Sequence, residues 1–279
     1  MGAYRIPRET GLLISSGMRR EIGKVAASTH VSGFRVNQDL TRGYGNLPYN
    51  HGVTLFTNLL ILSVALLPVR QLQAQQHVSF ATEDGGKICA DVYGKGKRAV
   101  VLAHGGRFTK ESWRPQAEVL AAKGFKVVAF DFRGFGCSTG PGDKDMFTAP
   151  MANDVLAAVH YLTKHGAKTV FAIGGSFGGA ATGDASIQSK PGEIDRIVFL
   201  GAAPNLPADQ LKSRTLFIVA RDDANDDGPR LPGIRAQYLK APEPKQLIVL
   251  DGNAHAQFLF QTDQADRVMD EIFRFLSAP

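Results

Sequence analysis

Cysteine is scarce, with only Cys89 and Cys137 in 279 residues. Two cysteines cannot build a disulfide-rich scaffold, and their spacing matches no metal-binding pattern. Internal repeats and low-complexity tracts are absent, which excludes repeat and collagen-like architectures. A single apolar run, Val53–Val69, approaches membrane-spanning length, so the chain is no polytopic membrane protein. A concentrated basic surface is missing as well. The net charge is +6, from 32 basic and 26 acidic side chains. Residues 1–77 hold eight of the basic and three of the acidic ones, leaving 24 against 23 in residues 78–279. With the excess confined to the leading segment, the folded part lacks the Lys/Arg stripe that tracks phosphates, and no nucleic-acid partner is expected.

What is present is the composition of a globular core: 44% hydrophobic and 21% charged residues. Residues 1–52 show no sustained period and are rich in Gly, Ser, Thr, Asn and Arg, which reads as a disordered extension. Residues 53–74 read as a secretory signal: Val53–Val69 is apolar and uncharged, closes at Pro68, and is followed by Leu72-Gln73-Ala74, a small-residue cleavage site. The distance of this segment from the first residue fits a true start near Val53 or Leu55. An uncleaved membrane anchor and a buried helix are the competing readings of Val53–Val69. A secreted or periplasmic location follows from the first reading, and a membrane-anchored one from the second.

From Val78 onward, short runs rich in Val, Ile and Phe alternate with helix-length segments. This predicts an α/β domain over residues 78–279, a mostly parallel sheet covered by helices on both faces. The runs are Ala99–Ala103, Lys126–Phe130, Thr169–Ile173, Arg196–Leu200, Thr215–Ala220 and Gln246–Leu250, continuous enough to be buried on both sides. Val78–Thr82 and Lys87–Tyr93, joined around Asp84-Gly85-Gly86, predict a leading antiparallel hairpin. Helices are predicted at Ser112–Lys123, Pro150–His165, Phe177–Ser189, Leu231–Lys240 and Asp263–Leu276.

Gly174-Gly175-Ser176-Phe177-Gly178 directly follows one of these strands and opens a helix. A serine on such a sharp turn is held in a strained conformation that only small neighbours tolerate, with its hydroxyl exposed above the sheet edge. The N-terminus of the following helix points at the same spot. A serine hydroxyl needs a base, and the base needs an orienting acid. The one histidine after Ser176 is His255, just past the strand Gln246–Leu250. The acid is expected in Arg221-Asp222-Asp223-Ala224-Asn225-Asp226-Asp227, after the strand Thr215–Ala220. Asp223 is preferred, then Asp222, with Asp226 and Asp227 behind them in a solvated acidic turn that lacks spaced cation ligands.

With these residues in place the chain resembles the α/β-hydrolase superfamily over about residues 78–279. His104-Gly105-Gly106 is similar to that family's oxyanion loop, and Asp131-Phe132-Arg133-Gly134-Phe135-Gly136-Cys137-Ser138 to its D-x-R-G-x-G-x-S turn. The resemblance implies an oxyanion hole made by the backbone N–H groups of Phe177 and of Gly106 or Arg107. It makes His104 a structural loop residue and Cys137 part of a structural turn. It also implies a cofactor-free reaction, with no metal, on a small-molecule acyl substrate. Caps in this family follow the strand equivalent to Arg196–Leu200, but here fourteen residues, Gly201–Arg214, precede the next strand, so an uncapped site is expected.

Several assignments stay open at this stage. Arg107 and Glu111 read as a salt-bridged loop at the cleft mouth or as contacts to a polar or anionic substrate group. His160 and His165 read as surface residues. A Cys89–Cys137 disulfide is allowed by export but not implied by the spacing. The expected activity is ester hydrolysis through Ser176, His255 and Asp223. Thioester or amide hydrolysis, acyl transfer, and a non-catalytic binding protein on the same fold are the alternatives.

Overall fold

The structure is a computed structural model and describes residues 75–279. The expectations for residues 1–52 and 53–74 lie outside the described residues. Ten strands are β1 (Gln76–Ala81), β2 (Lys87–Tyr93), β3 (Arg98–Ala103), β4 (Lys126–Phe130), β5 (Thr169–Gly175), β6 (Arg196–Leu200), β7 (Arg214–Ala220), β8 (Ala224–Asn225), β9 (Gly228–Pro229) and β10 (Lys245–Leu250). Eight of them form one sheet in the order β1-β2-β4-β3-β5-β6-β7-β10, and β8 and β9 pair separately. The β1–β2 hairpin and the β2–β4 pair are antiparallel; every pairing from β4 to β10 is parallel.

The alternation of side chains along the central strand divides the core in two. Ala99, Val101 and Ala103 pack with Val155, Val159 and Ile234, from α2 (Met151–Lys164) and α4 (Leu231–Lys240). The same layer receives Ala181 and Ala185 of α3 (Phe177–Gln188). Val100 and Leu102 face the other way, onto Leu120 of α1 (Arg114–Ala122) and Val268, Ile272 and Phe275 of α5 (Ala265–Ser277). The sheet is thus covered on both faces, as its continuous apolarity predicts, and residues 99–103 are all fully buried.

Local chemistry explains where the elements depart from expectation. The segment predicted as one helix over Ser112–Lys123 is a 3-10 turn, Lys110–Trp113, followed by α1. Pro115 sits in the first turn of α1, where its missing N–H costs nothing and its fixed φ favours a helix start. The last helix begins at Ala265 rather than Asp263, and β1 begins at Gln76 rather than Val78.

The loop after β4 is fastened from three directions. Arg133, fully buried, donates from Nε and Nη2 to Asp154 Oδ1 of α2 (2.9 and 2.6 Å). It also donates from Nη1 and Nη2 to the two oxygens of Asp84 in the β1–β2 turn (2.7 and 3.0 Å). Cys137 is joined to Cys89 of β2 by a disulfide, with Cα atoms 5.8 Å apart, which settles the pairing left open above. So held, Phe132 stands edge-on to Phe177 and His104, with ring centroids 5.2 Å away in both cases. Among the described residues no helix is long and apolar enough to cross a membrane.

Candidate active site

Strand β5 runs through Gly175, and α3 starts at Phe177, leaving Ser176 alone at the turn with φ 51° and ψ −121°. A non-glycine residue in this region carries backbone strain. Hydrogen bonds hold it there: Ser176 N–H donates to Leu200 O (2.9 Å), and Ala180 N–H donates to Ser176 O (3.1 Å). The glycines on either side are a matter of space. A Cβ on Gly174 would lie 2.5 Å from Gly178 O, and one on Gly178 would lie 2.4 Å from both Ala103 O and His104 O.

His255 follows β10, and Asp223 follows β7, so the ends of these two neighbouring parallel strands and the β5 turn deliver three side chains to one edge of the sheet. His255 Nδ1 lies 2.7 Å from Asp223 Oδ2, and His255 Nε2 lies 2.7 Å from Ser176 Oγ. A carboxylate only accepts, so Nδ1–H donates to Asp223, which leaves Nε2 free to accept from the serine hydroxyl. This is the tautomer a general base for Ser176 requires.

Of the four aspartates in the acidic run, Asp223 is 1% exposed and holds the histidine. Asp222 is exposed, and its N–H donates to Gly252 O (2.9 Å). Asp226 and Asp227 sit at the tip of the β8–β9 hairpin, an element that sequence reading did not anticipate. The second oxygen of Asp223 faces Arg230 Nε at 3.3 Å, while Arg230 N–H donates to Asp223 O (2.8 Å). Arg230 therefore holds both the charge and the backbone of the acid.

The N–H groups of Phe177, Gly106 and Arg107 have no hydrogen-bond acceptor among the described residues, and all three residues line the cleft beside Ser176. A Cβ on Gly106 would stand 4.0 Å from Phe177 Cβ, so of the two loop residues Gly106 is placed next to Phe177. The loop His104-Gly105-Gly106 is held by Gln257, 4% exposed and two residues past His255. Its Oε1 accepts from Gly105 N–H (3.0 Å), and its Nε2 donates to Ser112 Oγ (2.9 Å). One buried amide thereby ties the His255 loop to the loop after β3; glutamine after a histidine carries no sequence signal for that role.

His104 is fully buried beside this loop. Phe132 N–H donates to its Nε2 (3.2 Å), and its Nδ1–H donates to Gly105 O (2.9 Å). Burial lowers its pKa and favours the neutral ring, and because its one acceptor nitrogen is taken by Phe132 N–H it is a structural residue rather than a second base. The expected Arg107–Glu111 pair does not form. Glu111 pairs with Lys110 instead, and Arg107 is exposed at the cleft without an acidic partner among the described residues. His160 and His165 lie on the surface, the first near Glu193 (3.4 Å), the second against Tyr161 O (2.7 Å). Among the described residues no group of three His, Cys, Asp or Glu is placed to hold a metal ion.

The cleft above Ser176 measures about 1330 Å³. Between β6 and β7 there is only the 3-10 turn Ala208–Gln210, so among the described residues nothing caps it there.

A parallel sheet with this strand order and a serine on the β5 turn defines an α/β-hydrolase architecture. The profile of the alpha/beta hydrolase fold family matches residues 98–274, and the chain belongs to that family. It is 31% identical to a non-heme haloperoxidase of Rhodococcus erythropolis over 126 residues, 44% of this chain and 43% of that protein. It is 25% identical to an AB hydrolase superfamily protein of Bacillus subtilis over 176 residues, 63% of this chain and 57% of that protein. The chain spans about half the length of the curated relatives it matches. An esterase from Exiguobacterium antarcticum superposes with a TM-score of 0.60 at 15% identity, covering 73% of this chain and all of that one. An epoxide hydrolase from Vigna radiata gives 0.58 at 16%, covering 72% and 98%. At such identities the solved structures speak for the fold alone.

Proposed function

We propose that the protein is a serine hydrolase that cleaves an ester bond through an acyl-enzyme. Ser176 Oγ attacks the acyl carbonyl as His255 Nε2 takes its proton, with Asp223 holding the imidazole in the required tautomer and stabilising its charge. The N–H groups of Phe177 and Gly106 bind the oxyanion, in a position where fixed donors contribute much of the rate. His255 then protonates the leaving alcohol, and water repeats the sequence on the acyl-enzyme. The observation that carries this reading is the pair of 2.7 Å contacts linking Ser176, His255 and Asp223 at the floor of an open cleft.

Labelling of the full chain with a fluorophosphonate probe tests it. Wild-type labelling that disappears in Ser176→Ala and drops sharply in His255→Ala supports an activated serine. A folded wild-type protein that takes no label is instead a binding protein on a hydrolase fold. Thioester, amide or acyl-transfer chemistry by the same residues is separated by a substrate panel.

Export is part of the proposal. The Cys89–Cys137 disulfide supports an oxidising compartment, and the apolar run Val53–Val69 supports a signal or an anchor.

A further inference from the structure

The cleft does not end at Ser176. It continues along α3, where Phe177, Ala180, Ala181, Asp184 and Gln188 line it from one face of the helix. Near the serine the lining is apolar, with Ala180 and Ala181 of α3 beside Met146, Met151, Ala202 and Ile234. The apolar stretch stops at Asp184, whose carboxylate is already occupied by Asn205 Nδ2 and Leu206 N–H, both at 2.9 Å. Seven residues of helix separate Phe177 from Asp184, a length of about 10 Å.

Exposed apolar side chains concentrate on this cleft. Five large hydrophobic residues are exposed among the described residues, and three of them, Phe147, Leu206 and Phe258, line it. Phe147 is 86% exposed at the rim, a costly position for an aromatic ring unless something apolar covers it. The position of His255 decides which part of an ester that is. The leaving oxygen must reach His255 Nε2, and the cleft residues that follow this histidine are Ala256 and Phe258. Phe258 packs on Phe108 with ring centroids 5.0 Å apart. The leaving group belongs on that side, and the acyl arm belongs over α3.

We propose that the groove over α3 binds an extended apolar acyl chain of medium length, making the protein selective for medium-chain over acetyl esters. This rests on the serine hydrolase reading above. Each methylene taken from water into the groove adds to transition-state binding, until the chain reaches Asp184 and the gain ceases.

The test is a series of p-nitrophenyl esters with one leaving group and growing acyl chains: acetate, butyrate, octanoate and palmitate. The full chain is expected to show kcat/KM rising about 10-fold or more from acetate to octanoate, then levelling or falling at palmitate. Ala180→Phe fills the groove and is expected to lower the octanoate-to-acetate ratio about 10-fold. Phe147→Ser, at a site too exposed to threaten folding, is expected to lower the same ratio several-fold. A ratio near one in the wild type, or a ratio that neither variant changes, overturns the proposal. Fluorophosphonate labelling tells the two failures apart. Labelled protein without chain-length selectivity refutes the acyl groove alone, whereas folded protein that takes no label refutes the hydrolase reading and the groove together.

Discussion

Gly201 and His255 approach as closely as a residue without a side chain permits. A Cβ on Gly201 would lie 2.9 Å from His255 Nδ1 and 2.9 Å from Asp223 Oδ2, the two atoms that share the proton. Gly201 follows β6 and has φ +58°, so both its conformation and its emptiness are used. Gly201→Ala is therefore expected to push the acid and the base apart. A drop in kcat of about 100-fold or more, with the fold retained by circular dichroism, is the expected result. Unchanged kcat would show that the Asp223–His255 contact has no part in turnover.

The two neighbouring aspartates separate cleanly. Asp223→Asn keeps the shape but reverses the hydrogen-bonding demand on Nδ1, favouring the tautomer that cannot accept from Ser176; kcat is expected to fall about 10³–10⁴-fold. Asp222→Asn changes an exposed side chain and is expected to leave kcat within about two-fold. Initial rates on a soluble p-nitrophenyl ester compare the two directly.

Gln257 is expected to act through the oxyanion loop rather than through substrate. Gln257→Met preserves volume but removes the acceptor for Gly105 N–H and the donor to Ser112. Loss of these two positioning contacts at fixed substrate affinity is expected to lower kcat about 10–100-fold while KM stays within about two-fold. An equal rise in KM without change in kcat would place Gln257 in ground-state binding instead.

Much of this site was readable in the chain because strand runs and small-residue turns leave local signals. The run Thr169–Ile173 followed by Gly174-Gly175-Ser176 specified the turn, and the position of His255 after the last strand followed from topology. Asp223 is preferred from its offset, with Asp222 next and Asp226 and Asp227 behind; its burial and the β8–β9 hairpin that removes Asp226 and Asp227 emerged only in three dimensions. Gly201, Gln257 and Arg230 were missed for a common reason. Gly201 and Gln257 act on residues distant in sequence, Arg230 closes back onto Asp223 around the β8–β9 hairpin, and nothing in the immediate neighbourhood of any of them marks the contact. Arg107 and Glu111 misled in the opposite way. Their place at the cleft mouth suggests a salt-bridged loop, but Lys110 lies beside Glu111 and takes the carboxylate.

Asp84 offers a prediction on stability rather than activity. Hydrogen bonds from the Arg133 guanidinium hold its carboxyl well below the usual carboxylate range, with Thr82 and Asn153 contributing. A group depressed in the folded state stabilises fully above its unfolded pKa, near 4, and loses that contribution as pH falls toward the folded value. Asp84→Asn removes the charge that Arg133 and the β1–β2 turn share, leaving Arg133 with Asp154 as its one remaining carboxylate partner. The variant is therefore expected to melt below wild type at pH 7 by several degrees. The gap is expected to hold constant down to about pH 4 and to narrow below it, because there the unfolded chain takes up a proton at Asp84 that the folded protein does not. Thermal unfolding followed by circular dichroism between pH 3 and pH 8 measures both quantities. A gap that widens toward acid would mean that Asp84 is held protonated in the fold and that its link to Arg133 is not ionic.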